Sequence, residues 1–378
     1  MTTSGTPSSM RRSGLELFRI LTMLFILAHH YVVHSGLLDP SSPVAQDPLS
    51  FRSQFMLLFG AWGKTGINCF ILFAGYFMCD RSITLRKFLK LLCEILFYKL
   101  LLTLVFVLAG YERLSLAGLV KTLLPVRDLN TDFYGGYLVF FLFIPFLNIL
   151  VRHMDERSHI RLLALLSFVC VFLGTVPGFS VTLNNAAWFM ALYILSSWIR
   201  LYPKKLFDNA RFWKLAAAAC ILVSALSVVV CSRFGAARGK GLAFAWRFVM
   251  DSNSLLAVLT ALSSFMLFRL LKIPQSRFIN AVASTTFGVL LLHTGSAALI
   301  RWLWTDLLRT VPAHAAGNGI LHALLAVPAV FIAAACVDFL RIRFVEKPFF
   351  RALDKVLPGL VSRWRRFEEK LFSRFHIS

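Results

Sequence analysis

Ten apolar stretches recur along the 378 residues, separated by short polar breaks. They cover roughly 14–36, 55–79, 87–110, 135–152, 160–177, 186–202, 213–232, 254–272, 281–304 and 318–341. A bilayer core about 30 Å thick is crossed by about 20 apolar residues of helix. The pattern therefore predicts an all-α fold: a polytopic membrane bundle of about ten transmembrane helices. Trp198, Tyr202, Trp213, Trp302 and Trp304 fall near the ends of runs, where interfacial anchors are expected.

Composition strengthens this picture. Hydrophobic residues make up 58% of the chain and charged ones 15%, an excess of apolar side chain that no soluble core of this length could bury. The net charge of +22 does not point to nucleic acid, because the basic residues cluster in the gaps between runs, where they encode topology. Of 40 Lys and Arg, 28 fall on one side and 11 on the other, with Lys99 inside a span. This split predicts that both chain ends are cytoplasmic. The exception is an outer loop carrying Arg233, Arg238, Lys240 and Arg247, suited to an anion.

The chain divides into a cytoplasmic segment 1–13, a transmembrane domain 14–341 and a basic cytoplasmic tail 342–378. Arg11 and Arg12 precede a first apolar run too long for a cleaved signal, so that run reads as a retained span. In the tail, Arg363, Arg365, Arg366 and Lys370 among aromatics predict an amphipathic helix on the anionic inner leaflet. The seven cysteines contain no CxxC pair and lie mostly in apolar runs, which reads as packing. No internal repeat or glycine-rich phosphate loop is evident, and the outer loops are too short for an appended enzyme.

Ionisable residues inside spans are costly, about 2.5–3.5 kcal/mol each on insertion scales, and mark candidate chemistry. The first run is richest: Glu16, Arg19, His29, His30 and His34. Arg19 and His30 are eleven residues apart, which places them on one helix face to within about 20° and about 16 Å apart along the axis. Arg19 at the inner mouth could hold a phosphate-bearing carrier. The imidazole of His30, deeper in, suits removal of a proton from a hydroxyl. The plain alternatives stay open: a snorkelling topology anchor for Arg19, a helix-packing hydrogen bond for His30.

His29 points about 100° away from His30 and reads as structural. His30 and His34 at i,i+4 form half a metal site without a third ligand, so no metal is expected. Lys87 and Lys90 share a face at the inner mouth, suited to phosphates or to lipid headgroups. Glu94 and Lys99 lie in one span and read as counter-charges to neighbouring groups. His293 contacts either a sugar or another helix.

These residues carry a resemblance. GLELFRILTMLFILAHHYVVHSG (14–36) resembles the opening helix of the bacterial membrane acyltransferase family 3, whose signature is Arg or Lys, ten residues, then His; Arg19 and His30 fit it. GINCFILFAGYFM (66–78) is similar to the family's second motif, with Ala74 where Ser is usual and Gly75 and Tyr76 kept. Segments 135–150, 188–203, 276–304 and FVEKPF (344–349) resemble later helices in order. One departure concerns the third helix, where the family's Arg-x-x-Arg is replaced by Arg86, Lys87 and Lys90; the bidentate phosphate grip of an Arg pair is lost.

The resemblance implies transfer of an acyl group, often acetyl, from cytoplasmic acyl-CoA to a hydroxyl of an extracytoplasmic sugar, in a surface polysaccharide or its lipid-linked precursor. It implies a multi-pass protein of the bacterial plasma membrane, with acyl-CoA as co-substrate and no bound cofactor. Its partners would be acyl-CoA, a glycan or lipid-linked sugar, and membrane lipid. His30 would be the general base. Arg19, Arg86, Lys87 and Lys90 would bind the donor, with Glu16 and His293 in support. Two rivals remain at this stage: a transporter of a glycan precursor or small anion, and a sensory or assembly subunit without activity.

Overall fold

A computed structural model describes residues 13–374 apart from 128, 131 and 180, with only the helical backbone for most of 360–374. Residues 1–12 of the predicted cytoplasmic segment, with Arg11 and Arg12, and the side chains of Arg363, Arg365 and Lys370 lie outside the described residues. Among the described residues there is no strand. The elements are α1 (Ser13–Val33), α2 (Phe51–Met78, with a turn at 61–62), α3 (Leu85–Leu108), α4 (Phe133–His153) and α5 (Glu156–Thr175). They continue as α6 (Asn185–Leu201), α7 (Ala210–Ala237), α8 (Leu255–Leu270), α9 (Arg277–Thr294) and α10 (Ala297–Ala315). Last come α11 (Gly319–Arg341) and α12 (Lys347–Arg374), joined by a π-helical turn.

Each of the ten apolar runs corresponds to helix. Among the described residues, seven helices, or eight if the bent pair α9–α10 is one span, are long and apolar enough to cross a membrane. The shorter α6 and α8 have 17 and 16 residues; α8 rises about 24 Å at 1.5 Å per residue. The run 281–304, expected as one continuous span, is instead broken: α9 and α10 meet at 87°. The break falls at Gly295, and Ser296 caps the next helix by accepting from the Leu299 N–H at 3.1 Å. A hydroxyl at an N-cap position competes with helix continuation.

α1 is the central helix. It packs against α2, α8, α9 and α11, and 56% of its apolar window is buried, against 17% for the peripheral α5. Close approach of α2 depends on Gly60, Gly63 and Gly66. A Cβ at these positions would meet Val32 at 2.9 Å, His29 at 2.3 Å and Ile26 at 2.8 Å. Small residues at such spacing let helix backbones approach where no water drives association. Gly75 does the same against Ser196 of α6. The neighbouring Tyr76 lies under Arg200, 5.1 Å from ring to guanidinium, and Arg200 pairs with Asp80 at 2.5 Å. The Gly-Tyr motif thus seats α2 on α6.

Buried polar groups inside the bundle are largely satisfied, as low dielectric demands. Asn68 accepts from the Trp188 indole at 2.9 Å and donates to the Ser252 carbonyl at 2.6 Å. Asn148 accepts from the Tyr193 hydroxyl and donates to the Met78 carbonyl at 3.3 Å.

Candidate active site

α1 distributes its two adjacent histidines to different neighbours because successive helical residues are turned by about 100°. His29 faces α2, where its Nδ1–H donates to the Gly60 carbonyl at 2.6 Å, and it fills the space over Gly63. It is a packing residue. His30 faces α9, and its Nδ1 lies 2.9 Å from Nε2 of His293.

The hydrogen-bond chain at this pair fixes the proton positions. The Nδ1 of His293 lies 2.6 Å from the Val289 carbonyl. A carbonyl can only accept, so that nitrogen carries the proton. In the neutral ring the Nε2 of His293 then holds a lone pair and accepts from Nδ1–H of His30. By elimination the Nε2 of neutral His30 is a bare lone pair. A ring nitrogen's protonation is set by what the other nitrogen bonds to, and here His293 sets it. His293 is fully buried, while His30 is half-buried. His34, one turn on, places its ring centroid 4.8 Å from that of His30.

Arg19 lies on the same face of α1, three turns toward the N-terminus. Its guanidinium donates to Glu16 at 3.0 Å and to the Thr286 hydroxyl of α9 at 3.1 Å. Phe73 and Phe70 of α2 lie 5.2 and 5.7 Å away. Its Nε is buried without a hydrogen-bond partner, leaving one donor of a strongly solvated group unmatched. Thr286 and His293 are seven residues apart, about two turns and 10.5 Å, so Arg19 and His30 open onto one stretch of one neighbouring helix. The shared face expected from the eleven-residue spacing is what the structure has.

The other basic candidates are drawn elsewhere. Arg86 pairs with Asp354 of α12 through two bonds, at 2.6 and 3.0 Å, and its guanidinium covers Phe350 at 5.4 Å. Lys90 pairs with Glu346 at 2.6 Å. Lys87 donates to the Ser82 carbonyl at 2.8 Å and has no carboxylate within ion-pair distance among the described residues. The first turns of α12 are therefore docked on α3, so the tail is not uniformly a surface helix.

One cluster escaped sequence reasoning. Arg341 bonds Glu94 of α3 at 2.8 Å, Asp338 at 2.6 Å and Glu346 at 2.9 Å, and Tyr98 donates to Asp338 at 2.7 Å. Gly288 of α9 makes room for the Asp338 carboxyl, which a Cβ there would meet at 2.1 Å. Arg341 is the last residue of the final apolar run. The available signal was Asp338 and Arg341 at i,i+3 inside an apolar run. Glu94 does act as a counter-charge, to Arg341; Lys99 lies 3.9 Å from Asp132.

Among the described residues no group of three or more His, Cys, Asp or Glu side chains is placed to hold a metal ion. The chain matches the family model described as an acyltransferase domain, Acyl_transf_3, over residues 12–338. No curated protein and no solved structure matches it.

Proposed function

The chain belongs to the membrane acyltransferase family 3, and from that premise we propose an O-acyltransferase that moves an acyl group, acetyl in our reading, from cytoplasmic acyl-CoA to a hydroxyl of an extracytoplasmic sugar. The acceptor belongs to a surface polysaccharide or its lipid-linked precursor, and the membrane is the bacterial plasma membrane with both chain ends inside. His30 is the general base. Its Nε2 takes the acceptor hydroxyl proton as the oxygen attacks the thioester carbonyl. The tetrahedral adduct then collapses, the C–S bond breaks, and the proton passes from the imidazolium to the departing CoA thiolate. His293 positions the base by holding Nδ1–H of His30.

Arg19 binds the donor's phosphates or pantetheine amides, and Glu16 orients its guanidinium through the 3.0 Å pair. The unmatched Arg19 Nε supports this role. Lys87, with no carboxylate partner among the described residues, is the readiest accessory cation; Arg86 and Lys90 would assist by exchanging Asp354 and Glu346 for phosphate. The single observation that carries the reading is the shared face: Arg19 on Thr286 and His30 on His293, along one helix.

The test is reconstitution in proteoliposomes with labelled acetyl-CoA and a membrane glycolipid extract as acceptor. Wild-type protein should consume donor and label the glycan. His30→Ala should insert normally and transfer about 10²–10⁴-fold more slowly, the span of general-base effects. Transfer at the wild-type rate would remove His30 from the mechanism. The transporter reading draws on one observation, the 87° break between α9 and α10 beside His293, since interrupted helices line transport sites. Sugar flux without donor consumption would favour it.

A further inference from the structure

A cavity of about 340 Å³ lies between α3, the segment around the short helix Leu116–Leu123, and the α9–α10 break. Its charged and hydroxyl lining includes Lys99, Thr103, Glu112, Arg113, Lys121 and Ser296. Among the described lining residues, three cations accompany one carboxylate. The volume is at the small end for ligand sites, suited to one sugar-sized moiety rather than a whole carrier.

Two observations tie this cavity to the histidine pair. Gly295, on its wall, is two residues beyond His293, and a Cβ there would meet Leu102 of α3 at 2.6 Å. Lys99 and Thr103 lie within one turn of Leu102, so they stand near the level of Gly295. Tyr134 donates to the Thr294 carbonyl at 2.6 Å, and the Lys99 ammonium lies 5.2 Å from the centre of that tyrosine ring. The cavity wall thus includes the chain two residues beyond His293.

The charge balance asks for an anion. Lys99 sits within an apolar helix, its side chain only 12% exposed, and its ion pair with Asp132 is long at 3.9 Å. Lys121 lines the same cavity. A cation carried into a span calls for close anionic contact, which a carboxylate 3.9 Å away supplies only loosely.

We propose that this cavity binds an anionic sugar, through its carboxylate or phosphate, and so presents the acceptor's hydroxyl to His30. The acceptor role rests on the acyltransferase reading; the anion site does not. The acceptor is then an acidic or phosphorylated glycan rather than a neutral one.

The experiment uses the full chain in phosphatidylcholine nanodiscs, with binding of glucuronic acid, glucose 1-phosphate and glucose followed by saturation-transfer NMR and that of inorganic phosphate by its displacement of them. Both anionic sugars should bind and glucose should not. Lys99→Gln, and separately Lys121→Gln at the exposed helix, should each weaken anionic-sugar binding by about tenfold or more, the loss expected for one charge-assisted hydrogen bond. Equal binding of glucose, or insensitivity to both substitutions, overturns the proposal. Inorganic phosphate binding as tightly as the sugars reduces the site to a bare anion site and overturns the sugar assignment. Displacement of the sugars by added phosphatidylglycerol assigns the site to a lipid headgroup and likewise overturns it. Acetyl-CoA consumption in the same nanodiscs separates the two levels: sugar binding without donor turnover defeats the enzyme reading alone, and turnover without anion preference defeats the acceptor inference alone.

Discussion

Arg341 and His30 are both polar side chains held within apolar helices, yet their surroundings are opposite in kind. All three guanidinium nitrogens of Arg341 meet carboxylates, from Glu94, Asp338 and Glu346, and Lys90 and Tyr98 close the outer edge of the cluster. His30 has one nitrogen committed to His293 and one left with a bare lone pair. The first cluster ties α3, α9, α11 and the start of α12 together at one level. The second keeps a half-buried base available. A buried cation met by a carboxylate at every guanidinium nitrogen reads as architecture, whereas a half-buried base with one nitrogen left open reads as chemistry.

The comparison can be broken at four places. The largest effect is expected from Arg341→Ala, which leaves Glu94 and Asp338 buried without a counter-charge. Removing one partner of such a cluster costs about 3–5 kcal/mol, visible as loss of monodisperse protein in detergent and a lower unfolding temperature. Combining Arg341→Met with Glu94→Gln and Asp338→Asn should restore much of that loss, since neutralising the whole group removes the stranded charges.

Gly288→Ala comes next. The new methyl would press on the Asp338 carboxyl, an overpacking cost of about 1–3 kcal/mol read from the same unfolding curve. A Gly288→Ala protein as stable as wild type would show that α9 and α11 are not held this closely.

His293→Ala should spare folding and slow transfer by about 10–100-fold, the usual penalty for losing a partner that orients a functional imidazole. His293→Gln, whose amide oxygen can still accept from Nδ1–H of His30, should recover part of the rate. No difference between the two variants would count against a tautomer-setting role. The smallest effect is Arg86→Ala on stability. Its pair with Asp354 is about half exposed on both sides, so the change should stay within about 1 kcal/mol, while raising the acetyl-CoA KM if the cation serves the donor.

Much of the fold could be read from the chain. Apolar runs betray helices directly, because lipid demands them in nearly every position. The shared face of Arg19 and His30 followed from helical arithmetic alone, and the separate fate of His29 followed from the same 100° rotation. What could not be read were contacts between distant helices. His293 was visible as a polar residue in a span, but nothing local says that its Nε2 meets His30, 263 residues away. Of the partners of Arg341 only Asp338 is local to its helix, while Glu94 comes from α3 and Glu346 from the turn beyond α11. The α9–α10 break was hidden for another reason: Gly295 and Ser296 are tolerated inside apolar helices, and only packing against Leu102 shows that the chain bends there.

The most direct test of the account is the tautomer of His30 itself. In bilayers containing ¹⁵N-histidine protein, the His30 signals are those absent from His30→Ala. At neutral pH they should show a protonated Nδ1 and an unprotonated Nε2. A protonated Nε2 with a bare Nδ1 would mean that His293 donates rather than accepts, and that the nitrogen assigned as the base has no lone pair to offer.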